Sequence, residues 1–141
     1  MNKELCEKFP FLIPHNRFTD KVLEDWNYEY TELDAMPEGW RRTFGLQMCE
    51  ELEEELERIG KQNEWRIMQI KEKFGFLHFY SNWYTKELNK IITKYEEKSK
   101  YICIHCGAPA TKITTGWLSP WCDKCAELLD ERTIDIKEFY E

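Results

Sequence analysis

Residues 101–125 read YICIHCGAPATKITTGWLSPWCDKC and contain four of the six cysteines of the chain. Cys103 and Cys106 form one C-x-x-C pair, and Cys122 and Cys125 form a second pair after fifteen intervening residues. Two such pairs at this separation are typical of a zinc ribbon, in which each pair lies on a tight turn and offers two thiolates to a tetrahedral ion. The spacing predicts one structural Zn²⁺ bound by these four cysteines.

His105 lies inside the first pair and is an alternative ligand by residue type. Because four thiolates are already available at the usual spacing, we expect His105 to point away from the metal. A site closed by four cysteines has no open coordination position for water or a substrate, and catalysis by zinc requires one. The metal is therefore expected to stabilise the fold and to take no part in a reaction.

The length and composition predict a small globular protein. A chain of 141 residues is about one domain's worth, and aromatic residues, at 15%, supply large buried areas despite a mean hydropathy of -0.70. The N-terminal MNKELCEKFPFLIPH has acidic residues where a signal peptide would be basic, and no apolar stretch approaches the ~18 residues of a membrane span. We therefore expect a soluble intracellular protein with no membrane partner, in which close cysteine pairs stay reduced and bind metal.

The net charge of -7 is distributed unevenly along the chain. Residues 1–60 carry 7 Lys and Arg against 15 Asp and Glu, whereas residues 61–112 carry 10 against 5. The chain thus has an acidic first part and a mildly basic middle. This balance argues against tight non-specific binding of nucleic acid by the whole protein, but it permits a local anion site.

Residues 1–38 contain several aromatic rings and three prolines, which prevent long regular elements. We expect an irregular segment that wraps over the core; the alternative is a flexible arm that becomes ordered on a partner. The rings expected to anchor this wrap are Phe9, Phe11, Phe18, Trp26, Tyr28 and Tyr30.

Residues 39–60 have the apolar spacing of an amphipathic helix that ends at Gly60. Its apolar stripe consists of Trp40, Phe44, Met48, Cys49, Leu52, Leu56 and Ile59. The opposite face is densely acidic between Glu50 and Glu57. This face is either a solvated helix surface or a docking surface for a basic partner.

Residues 64–81 predict a β-hairpin with apolar side chains on both faces. Alternation places two sets of side chains on shared faces: Trp65, Ile67 and Gln69 in the first strand, and Phe76, His78 and Tyr80 in the second. Such a hairpin needs cover on both faces, or a ligand on one. His78 is more often a packed, hydrogen-bonded side chain in this setting than a base or a ligand, and we keep it as a candidate partner-binding residue.

Residues 84–99 predict a second amphipathic helix, with Leu88, Ile91, Ile92 and Tyr95 on its buried side. Lysines recur every four residues along this helix and form a basic ridge, our candidate anion-binding surface: Lys86, Lys90, Lys94 and Lys98. A ridge of this kind is usually a solvated helix face without a ligand.

The fold class expected from these elements is α+β. Two amphipathic helices flank a β-hairpin within residues 1–100, and residues 101–141 form a four-cysteine zinc ribbon with a short C-terminal helix and a tail. Trp117 and Trp121 lie in the loop between the cysteine pairs, where they either pack the ribbon against the hairpin or, for Trp117, bind a partner protein or a base. Trp83 is a further candidate partner-binding residue.

Three segments together resemble a family of small bacteriophage- and prophage-encoded proteins with a C-terminal zinc-binding motif. They are LDAMPEGWRRTFG (33–45), IMQIKEKFGFLHFY (67–80) and CIHCGAPATKITTGWLSPWCDKC (103–125). The resemblance implies a phage-type accessory protein in the cytoplasm of a bacterial host cell. It transfers only the four cysteines, as zinc ligands, and no reaction.

Signature motifs of phosphate-binding loops, dinucleotide folds, zinc proteases and serine hydrolases do not occur in the sequence. We therefore expect a non-catalytic, zinc-stabilised protein that binds a host or phage protein, with modulation of host defence as one consequence. Two alternatives remain open at this point. One is a protein that binds or sequesters nucleic acid or a signalling nucleotide, and the other is an enzyme without a recognisable motif that carries a structural zinc.

Overall fold

The computed structural model describes residues 2–141 as a mixed α/β protein with small sheets. Four cysteines near the C-terminus lie close to one another. The predicted mixture of helices and small sheets and the predicted C-terminal cysteine cluster are therefore confirmed. No helix in the described part of the chain is long and apolar enough to cross a membrane.

The N-terminal segment is more regular than predicted. Helix α1 (Asn2–Lys8) opens it, and two short 3₁₀ turns follow at Pro10–Leu12 and Glu32–Ala35. Phe9 and Phe11 are buried, as expected for anchors of a wrap, but Phe18 is 97% exposed and anchors nothing. The prolines limit helix length here without preventing helical turns.

The helical segment predicted over residues 39–60 consists of three consecutive parts. Helix α2 (Glu38–Trp40) leads into a π-helical turn (Arg41–Gly45), which continues into helix α3 (Leu46–Ile59). Gly60 ends α3 in the left-handed conformation, with φ of 69°, and its N–H caps the last turn. The predicted stripe is buried apart from half-buried Ile59.

The hairpin consists of strands β1 (Ile67–Lys73) and β2 (Phe76–Ser81), joined by Phe74 and Gly75. The hairpin begins three residues later than predicted, because residues 64–66 do not pair with the second strand as part of β1. A β-bulge between Ile67 and Gln69 also corrects the predicted faces. The extra residue shifts the alternation, so that Ile67 is buried and Gln69 is exposed.

Helix α4 (Lys86–Ser99) begins two residues later than predicted. Thr85 caps it, since the Thr85 hydroxyl accepts the N–H of Leu88. The helix covers the free edge of β2 with two side chains. Ser99 Oγ accepts the backbone N–H of Leu77 at 2.8 Å, and Glu96 Oε2 accepts that of Phe79 at 3.1 Å. A strand edge that would otherwise be open to pairing is thereby satisfied.

The C-terminal part forms a three-stranded sheet with strand order β4-β3-β5. Its elements are β3 (Lys112–Thr114), β4 (Pro120–Trp121), α5 (Asp123–Ala126), β5 (Thr133–Asp135) and α6 (Ile136–Tyr140). Strand β5 and helix α6 occupy much of the predicted tail, and Ile136 packs with Ala110 and Ile113 in a small apolar cluster. This apolar cluster stabilises the small sheet of the C-terminal part.

The larger core is shared by the N-terminal segment, α2, α3, the hairpin and α4, and it reaches Ile102 at the start of the ribbon. The tip of the hairpin also meets the ribbon, since a Cβ on Gly75 would lie 3.4 Å from Leu118 Cβ and 3.5 Å from Ile113 Cδ1. The ribbon therefore packs against the rest of the protein at two places, one through Ile102 and the other through the hairpin tip.

One carboxyl group of the acidic α3 surface is expected to make stability depend on pH. Burial raises the pKa of Glu53 to about 7, the charge of Glu57 adds to the shift, and Glu53 Oε2 has no partner among the described residues. The native state therefore holds this proton more tightly than the unfolded chain. The stability linked to protonation of Glu53 is fully present below pH 4.5, the pKa of this group in the unfolded chain. That stability is lost as the pH rises through about 7, the pKa in the folded protein.

We expect Glu53→Gln to raise the free energy of unfolding by about 1 kcal/mol at about pH 8, with little effect at about pH 4. Urea denaturation at both pH values measures the difference. Glu54→Gln, at an exposed position on the same helix, is the matched control and should leave the pH dependence unchanged. Equal effects of the two variants at both pH values would contradict the assignment.

Candidate metal centre

The four predicted cysteines converge on one point. The Sγ atoms of Cys103, Cys106, Cys122 and Cys125 all lie within 4.8 Å of one another, and those of Cys106 and Cys122 are 3.6 Å apart. His105 is exposed and contributes no atom to this group. Its ring lies parallel to that of Trp121, with 6.3 Å between the centroids.

The geometry and chemistry of this cluster fit a tetrahedral metal ion. Thiolates bound to one ion at about 2.3 Å are separated by about 3.8 Å, close to the observed spacing. All four thiols are free, which leaves them available as ligands. Soft sulfur ligands in this arrangement select ions such as zinc or iron and disfavour magnesium and calcium. The cluster is thus compatible with a structural metal.

Each cysteine pair lies on a turn closed by backbone hydrogen bonds. In the first turn, Cys103 N–H donates to Ala108 O at 2.7 Å and Gly107 N–H donates to Cys103 O at 3.0 Å. In the second, Cys122 precedes α5, and its Sγ accepts the N–H of Cys125 at 3.4 Å. Ile104 N–H joins the turns by donating to a carbonyl of β4, Pro120 O, at 2.9 Å.

Burial and hydrogen bonding affect the thiols in opposite directions. Burial by itself raises the pKa of Cys103, but backbone N–H groups of Cys106, Cys122 and His105 outweigh it and lower the pKa to about 7. Burial and the neighbouring thiols raise the pKa of Cys125 to about 12. The N–H groups around Cys103 favour its thiolate, the form that binds a metal.

The first cysteine turn rests on helix α2 and the π-helical turn after it. Gly39 N–H donates to Ile104 O at 2.9 Å, and the buried indole of Trp40 donates to Ile102 O at 2.9 Å. Thr43 Oγ1 lies 3.1 Å from Gly107 O. We refer to the contacts of Gly39, Trp40 and Thr43 with residues 102–107 as the knuckle seat.

Two glycines make the knuckle seat sterically possible. A Cβ on Gly39 would clash with the carbonyl oxygen of Cys103. A Cβ on Gly107 would clash with Thr43 Oγ1 and would lie 2.8 Å from Gly39 O, and the φ of 86° at Gly107 already favours glycine. Backbone segments distant in sequence thus approach as closely as glycine allows.

The predicted lysine ridge is exposed along α4 but largely engaged with neighbouring groups. Lys94 Nζ pairs with Glu51 on α3, and Lys90 Nζ lies 3.5 Å from Glu87 Oε1. Lys98 Nζ lies 5.8 Å from the ring centroid of Tyr95. Nearby carboxylates therefore offset part of the positive charge expected for anion binding by Lys86, Lys90, Lys94 and Lys98.

Three candidate partner-binding residues occupy different environments. Trp83 is half-buried against the core, and its carbonyl accepts the Trp65 indole N–H at 2.7 Å. His78 is half-buried, with Nε2 2.9 Å from Lys73 O. Trp117 is 72% exposed. Only Trp117 has the exposure expected of a binding anchor.

Comparison with protein-family models, curated proteins and solved structures gives no match for this chain. A functional proposal therefore depends on the residues of the site and of the surfaces around it. The cysteine cluster is the strongest chemical feature among them.

Sequence reasoning identified the four cysteines but not the knuckle seat. The signal available was Gly39, placed immediately before the helical stripe begins at Trp40. A glycine at the start of an apolar helical pattern often marks close approach of another backbone, but it does not identify the segment that approaches.

The knuckle seat predicts a large difference between two glycine variants. Gly107→Ala should lower the free energy of unfolding by about 3 kcal/mol or more, because backbone strain and overpacking add together. Gly60→Ala is the matched control, since Gly60 also has a positive φ but an added Cβ would meet nothing within 4 Å. Its expected cost is about 1 kcal/mol.

Chemical denaturation measures both costs, and titration with a chromophoric chelator measures metal retention. We expect Gly107→Ala, but not Gly60→Ala, to release metal more readily. If the two variants lost similar amounts of stability, the clash between the new Cβ at residue 107 and Thr43 would add nothing to the free-energy cost of backbone strain.

Proposed function

We propose that the chain is a non-catalytic binding protein whose four cysteines hold one structural zinc ion. Support comes from the convergence of four thiols and the seating of the first cysteine turn on buried backbone. Four sulfur ligands complete a tetrahedral shell and leave no position for a substrate. The role of the metal is then to fix residues 101–125 against the core.

The histidines support a binding protein over an enzyme. His15 Nδ1 lies 2.6 Å from Ile13 O, and His78 Nε2 lies 2.9 Å from Lys73 O. Both contacts are to backbone carbonyls. A catalytic base lies within hydrogen-bond reach of a nucleophile, and among the described residues neither ring forms a hydrogen bond to one.

The observation that carries the proposal is an apolar cleft where the hairpin tip meets the ribbon loop. The cleft has a volume of about 270 Å³ and is lined by Lys73, Phe74, Gly116, Trp117 and Leu118. Phe74 is 63% exposed and Trp117 is 72% exposed. Large exposed rings around a cleft that can take one apolar side chain resemble the anchor sites of protein interfaces.

The backbone under Phe74 supports a functional role for its ring. Phe74 and Gly75 form a two-residue turn with φ values of 58° and 89°. Such turns favour Asn or Gly at the first position, where a bulky side chain is disfavoured. Trp117 is held by a hydrogen bond from its indole to Glu72 Oε1 at 2.6 Å. The strained backbone at Phe74 places its ring in an exposed position, which is consistent with a binding role for the ring.

We further propose that the occupant of this cleft is a host or phage protein and that the chain acts as a phage-type accessory protein, with modulation of host defence as one consequence. The setting rests on the resemblance of the three segments quoted above. The cleft, the exposed rings and the structural metal are all consistent with docking rather than turnover.

The zinc proposal predicts that Cys106→Ser behaves as the metal-free protein. Cys106 is exposed, so loss of its sulfur removes little core packing, and a large effect reports the metal. We expect a loss of about 3 kcal/mol or more in the free energy of unfolding and no further effect of a chelator. Metal analysis of the wild type should give one zinc per chain.

Cys6→Ala is the control for loss of a thiol, since Cys6 lies outside the cluster and should leave the zinc content unchanged. A Cys106→Ser protein that stays fully stable without metal would contradict the structural role. Iron in place of zinc in the wild type would contradict the metal assignment.

The docking proposal predicts that Phe74→Asn separates stability from binding. Relief of the turn should raise the free energy of unfolding by about 1 kcal/mol, while loss of the ring should abolish retention of the partner. The measurement is tag capture from nuclease-treated bacterial lysate, followed by quantification of the stoichiometric protein retained. Trp117→Ala should lose the same protein.

Phe18→Ala is the matched control, because Phe18 is a fully exposed ring in the N-terminal segment and away from the cleft lining. It should retain the partner at the wild-type level. Equal capture by wild type, Phe74→Asn and Trp117→Ala would exclude the cleft as the docking site.

A further inference from the structure

The face of the hairpin that points away from the core carries an ordered set of rings and lysines. We define the outer face by three cross-strand pairs: Gln69 with Tyr80, Lys71 with His78, and Lys73 with Phe76. The intervening residues Ile70, Leu77 and Phe79 are buried against the core on the opposite side. The outer face is therefore the second face of the hairpin, for which the sequence required a cover or a ligand.

The rings of the outer face form a ladder along β2. The centroids of Phe76 and His78 are 4.3 Å apart with an interplanar angle of 33°, and those of His78 and Tyr80 are 6.4 Å apart at 24°. The ladder opens to solvent at Tyr80, which is 45% exposed. Rings at alternate positions of one strand, tilted by 24° and 33° to their neighbours, form a platform on which flat groups can stack.

Lysines of β1 and of the end of α4 border this ladder. Lys71 Nζ lies 5.8 Å from the ring centroid of Tyr80, and Lys100 Nζ lies 4.8 Å from that of Phe76. Lys71 and Lys73 make no ion pair within the described residues. No paired carboxylate therefore offsets their charges, in contrast to Lys90 and Lys94 on α4.

The carboxylates nearest the outer face are already engaged. Glu97 Oε1 pairs with Lys100 at 2.8 Å, and Glu96 Oε2 accepts the N–H of Phe79. The strands themselves place no carboxylate among the six side chains of the outer face, since Glu72 pairs with Leu77 across the ladder on the other side. The six side chains of the outer face therefore carry the charges of Lys71 and Lys73 and no carboxylate, although the whole chain is acidic.

The platform continues beyond the hairpin towards the C-terminus. Lys100 Nζ also lies 5.6 Å from the ring centroid of Tyr140 on α6, and the Tyr140 and Tyr101 rings are 5.4 Å apart. Tyr101 is 49% exposed. A strip of rings with lysines at its border thus runs from Tyr80 to the C-terminal helix.

We propose that the outer face binds single-stranded nucleic acid. Bases stack on the ring ladder, with Tyr80 as the most accessible platform, and phosphates meet Lys71 and Lys73. Neighbouring ring centroids of the ladder are 4.3 and 6.4 Å apart, wider than the ~3.4 Å rise of stacked base pairs, so the platform suits splayed bases and not a duplex. This surface adjoins the protein-docking cleft, and Lys73 lies at the border of both.

Fluorescence anisotropy of labelled oligonucleotides tests the proposal with the full-length, metal-loaded protein. The probes are oligodeoxythymidine, oligouridine and a DNA duplex of the same length. We expect at least one single strand to bind about tenfold or more tightly than the duplex, and the two single-stranded probes identify DNA or RNA as the preferred ligand. Two phosphate contacts predict a fall in affinity of roughly sevenfold between about 50 and 200 mM salt.

Two substitutions test the ring ladder and the lysines separately. Tyr80→Leu keeps apolar bulk but removes the stacking surface, and Lys71→Glu reverses one border charge; each should weaken single-strand binding by about tenfold. Tyr84→Leu and Lys86→Glu are the matched controls at other exposed positions, and they should bind as the wild type does. Thermal melting confirms that all four variants are folded.

Absence of binding to both single strands at low salt would overturn the proposal. It would also fail if the duplex bound as tightly as the single strands, or if Lys86→Glu weakened binding more than Lys71→Glu, since the α4 ridge would then be the contact surface. Capture of a protein partner should be unaffected by Tyr80→Leu, whereas Trp117→Ala should abolish it. The two proposals can therefore fail independently.

Discussion

The knuckle seat is the contact on which the arrangement of the ribbon depends. Gly39 lies so close to Cys103 and Ile104 that no side chain fits between the two backbones, and the Trp40 indole is buried with its N–H on Ile102 O. The hydrogen bonds from Gly39 N–H to Ile104 O and from the Trp40 indole to Ile102 O depend on the backbone conformation of the first cysteine turn. The same conformation directs the two thiols of that turn towards the cluster. Metal binding and packing of residues 38–43 therefore favour the same backbone, and each makes the other less costly in conformational entropy.

A second consequence concerns the hairpin. Because the ribbon is fixed at the knuckle seat, its loop between β3 and β4 lies against the hairpin tip, where Gly75 faces Leu118 and Trp117 donates to Glu72. The ribbon thus supports the hairpin tip, and α4 supports the edge of β2. An isolated two-stranded hairpin is marginal in water, and these supports allow it to keep one face open.

Local patterns in the sequence predicted much of this fold. Apolar spacing located the helix stripes, Gly60 marked a helix end, and the C-x-x-C spacing identified the thiols that meet. The features missed depend on contacts between distant segments. The bulge beside Met68 follows from how β1 pairs with β2, and the knuckle seat requires Gly39 to meet a turn more than sixty residues later in the chain. Periodicity carries no information about either.

Two features of the hairpin conflict with what stability alone would favour. A two-residue turn with positive φ at both positions is most stable with Asn-Gly, yet Phe74 occupies the first position. A solvent-exposed strand face usually carries Thr or charged residues, yet on this face β2 carries Phe76, His78 and Tyr80. Around the hairpin, by contrast, Thr85 caps helix α4, and side chains of α4 satisfy the edge of β2. Two such conflicts within one well-supported element are what we expect where a surface is retained for what it binds.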